Sequence, residues 1–171
     1  MDDKLHILTK LPGLENIEAD VLQALSALFE LQLYQGETLC NQGQEADRLW
    51  VLGSGKLSVV RTTQTRHPCE VAQLDPTCLV GFSGLVGIAE RSASLHALGD
   101  VEVLEMSTIS ASRILETNDS PVASAFRRAV IVAVSRQMGL ANQNIARLAV
   151  EVGVAEPVVT EEQLLRTNTL F

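Results

Sequence analysis

Residues 36–59 read GETLCNQGQEADRLWVLGSGKLSV. Short apolar runs alternate here with glycines and polar residues, an order that is typical of short strands separated by turns. The apolar run 49–52 is followed at once by Gly53-Ser54-Gly55, a pair of glycines that permits the dihedral angles of a tight turn. A second partly apolar run, 56–61, comes next. The stretch therefore predicts two short strands joined by a glycine turn.

The same pattern extends over about residues 33–106. Further short segments that alternate or run apolar lie at 70–74, 93–98 and 101–106, and Gly, Pro, Asn and Asp separate them. Short strands at regular spacing with turn signals between them are typical of a small sandwich or barrel, and they do not fit a βαβ fold.

Helical signals flank this region on both sides. Residues 17–31 carry apolar side chains at helical spacing, with Asn16 as a candidate cap. Residues 107–116 predict a short helix. The sequence NDSP at 118–121 then gives a polar cap followed by a proline in the first turn, which predicts a long helix from about 120 to 150.

The long helix carries apolar residues on two faces. One stripe contains Phe126, Val130, Val134, Met138, Ala141, Ile145 and Leu148, and the other contains Val122, Ala125, Ala129, Val132 and Ala133. Two apolar faces require two packing partners. One partner is the β-domain, and the second is most simply the same helix of another copy, as in a parallel coiled coil. The alternative is that both faces pack within one monomer.

Composition and charge exclude several classes of function. A chain of 171 residues with 46% hydrophobic residues can bury one sizeable core. Its net charge of −8 disfavours a broad nucleic-acid surface. Three dispersed cysteines without a CxxC pair indicate reduced thiols and no metal site. No hydrolase, phosphate-loop or paired-carboxylate motif is present, so we expect no catalytic residues and no enzyme activity.

The ends and the apolar runs of the chain bear on localisation. The first residues are acidic, without the basic and apolar segments of a signal peptide. The longest apolar run in a helical context, 129–134, is far too short to span a bilayer. We therefore expect a cytoplasmic protein that does not enter a membrane.

A helix, a set of short strands and a long helix together resemble the cyclic nucleotide-binding domain. Bacterial catabolite-activator-type regulators, kinase regulatory subunits and gated channels share this domain. Residues 36–59 are similar to its first signature: Gly-Glu, an apolar residue, Gln-Gly, Ala-Asp, then an apolar strand that ends at Ser54-Gly55. The resemblance covers about residues 11–150.

This resemblance implies an α+β fold. Its centre is an antiparallel double-stranded β-roll (jelly-roll-like), flanked by an N-terminal helix and a long C-terminal dimerisation helix. We accordingly predict a cyclic nucleotide-binding-like domain at 1–151 and a short tail at 152–171.

Residues 80–86, VGFSGLV, and 91–97, RSASLHA, resemble the phosphate-binding cassette of the same family. By this resemblance Gly81 lets the backbone approach the ligand, and a short turn from Ser83 aims N–H groups at an anion. Arg91 offers a planar fork to a buried phosphate. An amide midway down the long helix meets the base in related regulators, although a solvated helix residue is an alternative there. The predicted ligand-binding residues are Gly81, Phe82, Ser83, Gly84, Arg91, Ser92 and Asn142.

One departure from the family pattern bears on affinity. The family's ribose-gripping glutamate falls on Phe82, which cannot accept a hydrogen bond from a 2′-hydroxyl. Loss of a charged acceptor costs about 1.5–3 kcal/mol, or roughly tenfold to a hundredfold in affinity. Cyclic nucleotide affinity is therefore expected to be altered or lost, with cAMP, cGMP or another phosphate-bearing ligand as candidates. Phe82 would then fill the ribose space, and Arg91 would alternatively pair with an acid such as Glu90.

Three functions remain open at this point. The first is a non-catalytic ligand-sensing regulatory module, a homodimer that signals through its long helices to an unknown downstream protein. The second is a degenerate roll kept for protein–protein contact. The third is the sensor half of a transcription regulator. Since the residues after Val150 are too few for a helix-turn-helix domain, this chain alone is not expected to bind nucleic acid.

Overall fold

A computed structural model describes residues 3–62 and 67–153. Eight strands form two four-stranded antiparallel sheets, with the orders β1-β8-β3-β6 and β2-β7-β4-β5. The strands are β1 Glu30–Gln35, β2 Thr38–Cys40, β3 Arg48–Ser54, β4 Leu57–Thr62, β5 Pro68–Leu74, β6 Cys78–Val80, β7 Ser94–Ala97 and β8 Asp100–Ser107. The predicted α+β fold with an antiparallel roll is confirmed.

Four α-helices and one short 3₁₀ helix complete the described chain. They are α1 Asp3–Thr9, α2 Ala19–Ser26, the 3₁₀ helix Phe82–Val86, α3 Thr108–Glu116 and α4 Pro121–Glu151. The predicted starts of α3 and α4 are found with their caps. The Ser107 hydroxyl accepts from the backbone N–H of Ser110 at 3.1 Å, and the Ser120 hydroxyl accepts from that of Ala123 at 3.3 Å.

The N-terminal region differs from the prediction. The helix expected at 17–31 is α2, which ends at Ser26, and β1 begins at Glu30. Strand β1 pairs with β8 in register from Glu30 opposite Glu105 to Gln35 opposite Asp100. Tertiary pairing therefore overrides the helical spacing at the end of that segment, and the roll begins three residues before the predicted residue 33.

Apolar side chains divide between two cores because strand residues alternate in direction. On β3, Leu49 and Val51 face the helices, whereas Trp50 and Leu52 face the interior of the roll. We call these the helix-side core and the roll core. The helix-side core also contains Ala125, Phe126 and Ala129 from the first part of α4. The apolar stripe of α4 is thus buried in its N-terminal turns.

The contacts divide the chain into two compact units, Met1–Ala133 and Val134–Phe171, with the division inside α4. Every side chain from 135 to 148 is exposed. Among the described residues, no helix is both long enough and apolar enough to cross a membrane. The predicted tail at 152–171 lies outside the described residues from 154 onward, and the predicted boundary at 151 stays a prediction.

Two glycine turns give a matched test of this packing. Gly55 and Gly99 both have positive φ, +79° and +83°, so alanine at either site is strained by about 1–2 kcal/mol. A Cβ on Gly55 would lie 2.3 Å from the Asp100 carbonyl oxygen, whereas one on Gly99 meets nothing within 4 Å. We expect Gly55→Ala to lower the free energy of unfolding by about 1–3 kcal/mol more than Gly99→Ala does. Urea denaturation of both variants measures this difference, and equal losses would contradict the close approach of Gly55 to Asp100 at the start of β8.

Candidate functional site

The loop between β2 and β3 is bonded to the segment that precedes β7. The Gly43 N–H donates to the Arg91 carbonyl at 2.9 Å, and the Arg91 N–H donates to the Gln44 carbonyl at 2.7 Å. Two residues further along the loop and two residues earlier in the other segment, the Ala46 N–H donates to the Ala89 carbonyl at 2.8 Å. These bonds fix the backbone of Arg91 against the loop.

The side chain of Arg91 is buried inside the first unit, with 4% of the residue exposed. One terminal nitrogen, Nη1, donates to the Gly81 carbonyl at 3.0 Å, and the other, Nη2, lies 3.4 Å from Oδ1 of Asp47. The Cζ atom lies 4.7 Å from the centre of the Trp50 ring, a cation–π contact. The Nε atom is also buried, and it has no hydrogen-bond partner.

Gly81 is required for this arrangement. Its φ is +76°, and an added Cβ would lie 2.9 Å from the Trp50 ring and 3.0 Å from Nη1 of Arg91. Any side chain at this position would therefore strain the backbone and push against both the ring and the guanidinium. The groups beside Gly81 in the structure are the Trp50 ring and Arg91. That its backbone approaches a ligand stays a prediction.

A chain of charged groups continues from Asp47. The Asp47 carboxylate also contacts Arg48, with Nε of Arg48 3.6 Å from Oδ2, and Arg48 in turn bonds Glu105. Glu105 is 6% exposed and accepts from the Trp50 indole at 2.8 Å and from the Tyr34 hydroxyl at 3.4 Å. Burial and the neighbouring Glu105 carboxylate raise the pKa of Tyr34, so its hydroxyl remains a donor.

A cavity of about 350 Å³ lies along this chain of groups. Its lining includes Tyr34, Cys40, Arg48, Trp50 and Glu105, and it does not include Arg91 or Gly81. Burial raises the pKa of the Cys40 thiol and so disfavours the reactive thiolate. Within the described residues, no group of three His, Cys, Asp or Glu side chains is placed to hold a metal ion.

The other residues of the predicted cassette turn, Phe82, Ser83 and Gly84, each have different surroundings in the structure. Phe82 packs against the helix-side core and is not among the side chains packed against the roll core. That its ring fills the ribose space stays a prediction. An added Cβ on Gly84 would lie 2.3 Å from the Ala46 carbonyl oxygen, which gives this glycine a packing reason. Ser83 is half-buried and its carbonyl accepts from the Ile88 N–H at 3.2 Å.

Two further predictions concern polar side chains outside the turn. Ser92 is exposed, and Asn142 is exposed on α4 in the second unit. The acid that pairs with Arg91 is Asp47 and not Glu90, whose backbone forms an isolated bridge with Glu45.

Sequence reasoning missed the residues around the tryptophan. Asp47 belongs to the quoted Ala-Asp pair, and Trp50 is the single tryptophan of the chain, so both carried a signal. Glu105 carried none, because its position opposite Trp50 depends on the register of β3 against β8.

Comparison with known proteins identifies the fold family. The family profile described as "Cyclic nucleotide-binding domain" matches residues 30–118. The chain belongs to this family. A "Cyclic AMP receptor protein" from Thermus thermophilus is 37% identical over 95 residues, which cover 55% of this chain and 43% of that protein. The chain thus spans less than half the length of this curated relative.

Solved structures agree with the fold. The Thermus thermophilus catabolite activator protein has a TM-score of 0.67 at 23% identity, covering 81% of this chain and 63% of that one. A cyclic nucleotide-binding domain from Methylobacillus flagellatus has a TM-score of 0.75 at 13% identity, covering 92% of this chain and 86% of that one. At such identities the similarity shows the shared roll and helices.

The ion pair of Arg91 with Asp47 predicts a measurable stability difference. Asp47→Asn removes the negative charge that offsets the buried guanidinium and leaves only a neutral amide oxygen as acceptor, so we expect the free energy of unfolding to fall by about 1–2 kcal/mol. Asp75 is a matched control, since it pairs with Lys56 at 3.0 Å on the surface, where ion pairs contribute about 0–1 kcal/mol. Chemical denaturation compares Asp47→Asn with Asp75→Asn, and an Asp47 effect no larger than the Asp75 effect would contradict the pairing.

Proposed function

We propose that the roll is a non-catalytic regulatory sensor for an anionic, phosphate-bearing ligand, with Arg91 as its main contact. The observation that carries this proposal is the unpartnered Nε of Arg91, which is buried in the turn formed by the predicted cassette. Among proteins, the guanidinium group is the usual partner for phosphate because its N–H groups form two parallel bonds.

The energetics of burial support an anion at this position. Arginine keeps its charge in proteins, so burial cannot be relieved by loss of a proton. A buried donor without a partner costs about 1–3 kcal/mol. The carboxylate that offsets the charge is the half-exposed side chain of Asp47, at 3.4 Å. A ligand oxygen at Nε and Nη2 would satisfy the orphaned donor and replace the Asp47 contact.

When a ligand displaces Asp47 from Arg91, the change would reach the helices that follow the roll. The Asp47 carbonyl accepts from the Thr108 N–H at 2.7 Å, and the neighbouring Ala46 carbonyl accepts from the Thr108 hydroxyl at 2.8 Å. Thr108 is the first residue of α3. The loop that holds Asp47 is therefore bonded directly to the start of a helix.

The far end of α3 is bonded in turn to α4. Arg127 of α4 donates to the Leu115 carbonyl at 2.9 Å and also to the Thr117 carbonyl. A ligand that draws Arg91 away from Asp47 would change how the Asp47 loop holds the start of α3. Arg127 would transmit a resulting movement of α3 to α4. A ligand shifts such an equilibrium by its difference in affinity for the two arrangements.

The identity of the ligand is expected to depart from the ordinary cyclic nucleotide. Phe82 stands where the family pattern has an acid, and its side chain packs toward the helices, so this position supplies no acceptor for a ribose hydroxyl. The curated relative named a cyclic AMP receptor protein makes cAMP the first ligand to test. Ser83, Ser92 and Asn142 remain proposed contacts, and altered or lost cAMP affinity remains part of the proposal.

The second unit supports homodimerisation through α4. Its exposed apolar residues Met138, Ala141, Ile145 and Leu148 recur at three- and four-residue spacing, which places them along one stripe. Met138 and Ile145 are 63% and 64% exposed. A stripe of this kind fits the same helix of a second copy.

Calorimetry tests the proposed sensor. We expect at least one of cAMP, cGMP and the cyclic dinucleotides to bind the full chain. Arg91→Gln should weaken that binding at least about tenfold, because it removes a charge-assisted pair of bonds. Arg61→Gln, on the exposed end of β4, is the matched control and should leave binding unchanged. No detectable binding of any of these ligands, or an equal loss of affinity in both variants, would contradict the proposal.

Light scattering tests the proposed dimer. We expect a mass of twice the 18.5 kDa chain. Ile145→Glu places a charge in the apolar stripe and should shift the mass to that of one chain. Gln143→Glu lies on the opposite side of the helix and should leave the dimer intact. A single-chain mass for the unmodified protein would contradict this part.

A roll kept for protein–protein contact is the second candidate function. Val86, the last residue of the 3₁₀ helix, and Ile88 are 65% and 52% exposed, which favours a contact surface beside the cassette. This candidate predicts that calorimetry detects no binding of cAMP, cGMP or the cyclic dinucleotides. A role as the sensor part of a longer transcription regulator is compatible with either result.

A further inference from the structure

The cavity of about 350 Å³ is lined by groups that the proposed anion does not use. Its inner side is formed by the half-buried Tyr34 and the buried Trp50 and Glu105, and its exposed side includes Glu45 and Arg48. A cavity of a few hundred Å³ with aromatic walls and a few polar groups has the dimensions of a small-molecule site. Arg91 does not line it, so a molecule in this cavity would contact other groups than the proposed anion does.

Glu105 has acceptor capacity left in this cavity. A carboxylate offers about four acceptor positions. Glu105 receives donors from Tyr34, Trp50 and Arg48, of which the first two are neutral. One acceptor position therefore remains on this carboxylate, and Glu105 is only 6% exposed.

The charges of the lining favour a cation. Three carboxylates line the cavity, from Glu45, Asp47 and Glu105, against the single guanidinium of Arg48. Arg91 offsets Asp47 through the 3.4 Å contact, yet one negative charge still remains in excess. An anion would face this excess charge, whereas an ammonium group would be attracted by both the carboxylates and the aromatic rings.

We propose that the cavity is a second ligand site, which takes a small organic ammonium ion. The ammonium group bonds Glu105, and its apolar part packs against Tyr34 and the half-buried Leu39. This site stands apart from the proposed anion site, since it uses Glu105 and not Arg91.

Arg48 competes with such a ligand. Its side chain is 52% exposed and bonds Glu105 from the solvent side. When an ammonium ion displaces it, the guanidinium retains Asp47, whose Oδ2 atom lies 3.6 Å from Nε. Removal of the arginine should thus raise ligand affinity, while removal of the Glu105 charge should lower it. Opposite effects from two bonded neighbours are a distinctive signature.

The tryptophan provides a direct readout. Trp50 is the only tryptophan in the chain, so its indole N–H gives one cross-peak in a ¹H–¹⁵N spectrum of the labelled full chain. That N–H donates to Glu105 at 2.8 Å in the cavity wall. We expect 2-phenylethylammonium to shift this peak saturably, and 2-phenylethanol and phenylacetate, of similar shape without the positive charge, to leave it in place.

Matched variants then separate the site from non-specific binding. Glu105→Gln should weaken binding of the probe at least tenfold, and Glu102→Gln, on the opposite face of β8, should not change it. Arg48→Gln should strengthen binding severalfold, and Arg61→Gln should not change it. If Glu105→Gln fails to fold, the Arg48 and Arg61 pair decides the question by itself.

Three results would overturn the proposal. They are an indole peak that 2-phenylethylammonium does not move at millimolar concentration, equal shifts with the neutral or anionic probe, and an Arg48→Gln variant that binds no better. None of these results bears on the anion sensor, whose test uses phosphate-bearing ligands and Arg91→Gln.

Discussion

Arg91 is only 4% exposed, and its guanidinium lies 4.7 Å from the centre of the Trp50 ring. A permanent charge that is buried in this way requires partners from several directions. The ring covers one face, the Gly81 carbonyl and Asp47 each accept one bond, and the Nε donor remains unsatisfied. Gly81 must lack a side chain so that its carbonyl and the ring can both reach the arginine. Much of the local sequence follows from this one buried cation.

In the proposed sensor, the same cation connects the ligand site to the helices of the first unit. Asp47, its carboxylate partner, sits on a loop whose carbonyls accept two bonds from Thr108 at the start of α3. Arg127 bonds the carbonyls at the end of α3. Under the proposed sensor function, a ligand would act on the helices by changing which of these discrete hydrogen bonds are formed.

Sequence patterns predicted the parts of the fold that depend on local signals. The turn at Gly55, the strand 101–106 and the NDSP start of α4 were all recognisable because turns and caps are chosen by nearby residues. Gly53, which was also assigned to that turn, lies within β3. Strands β2 and β6, with three residues each, are too short to show a period. The partners of the site are decided by register and chain crossing: Asp47 reaches Arg91 across 44 positions, and Glu105 reaches Trp50 across 55. Likewise, the direction of the Phe82 side chain depends on which core the 3₁₀ helix faces, and no residue near it in the sequence indicates that.

The state of the Arg91 Nε–H tests the central claim most directly. In a ¹⁵N spectrum selective for arginine side chains, assigned with an Arg91→Lys variant, we expect one Nε–H resonance that is separated from the others and exchanges slowly with water. It should move when a bound phosphate oxygen accepts its hydrogen bond. An Arg91 resonance that exchanges with water as fast as those of exposed arginines, and that no phosphate-bearing ligand shifts, would contradict the account.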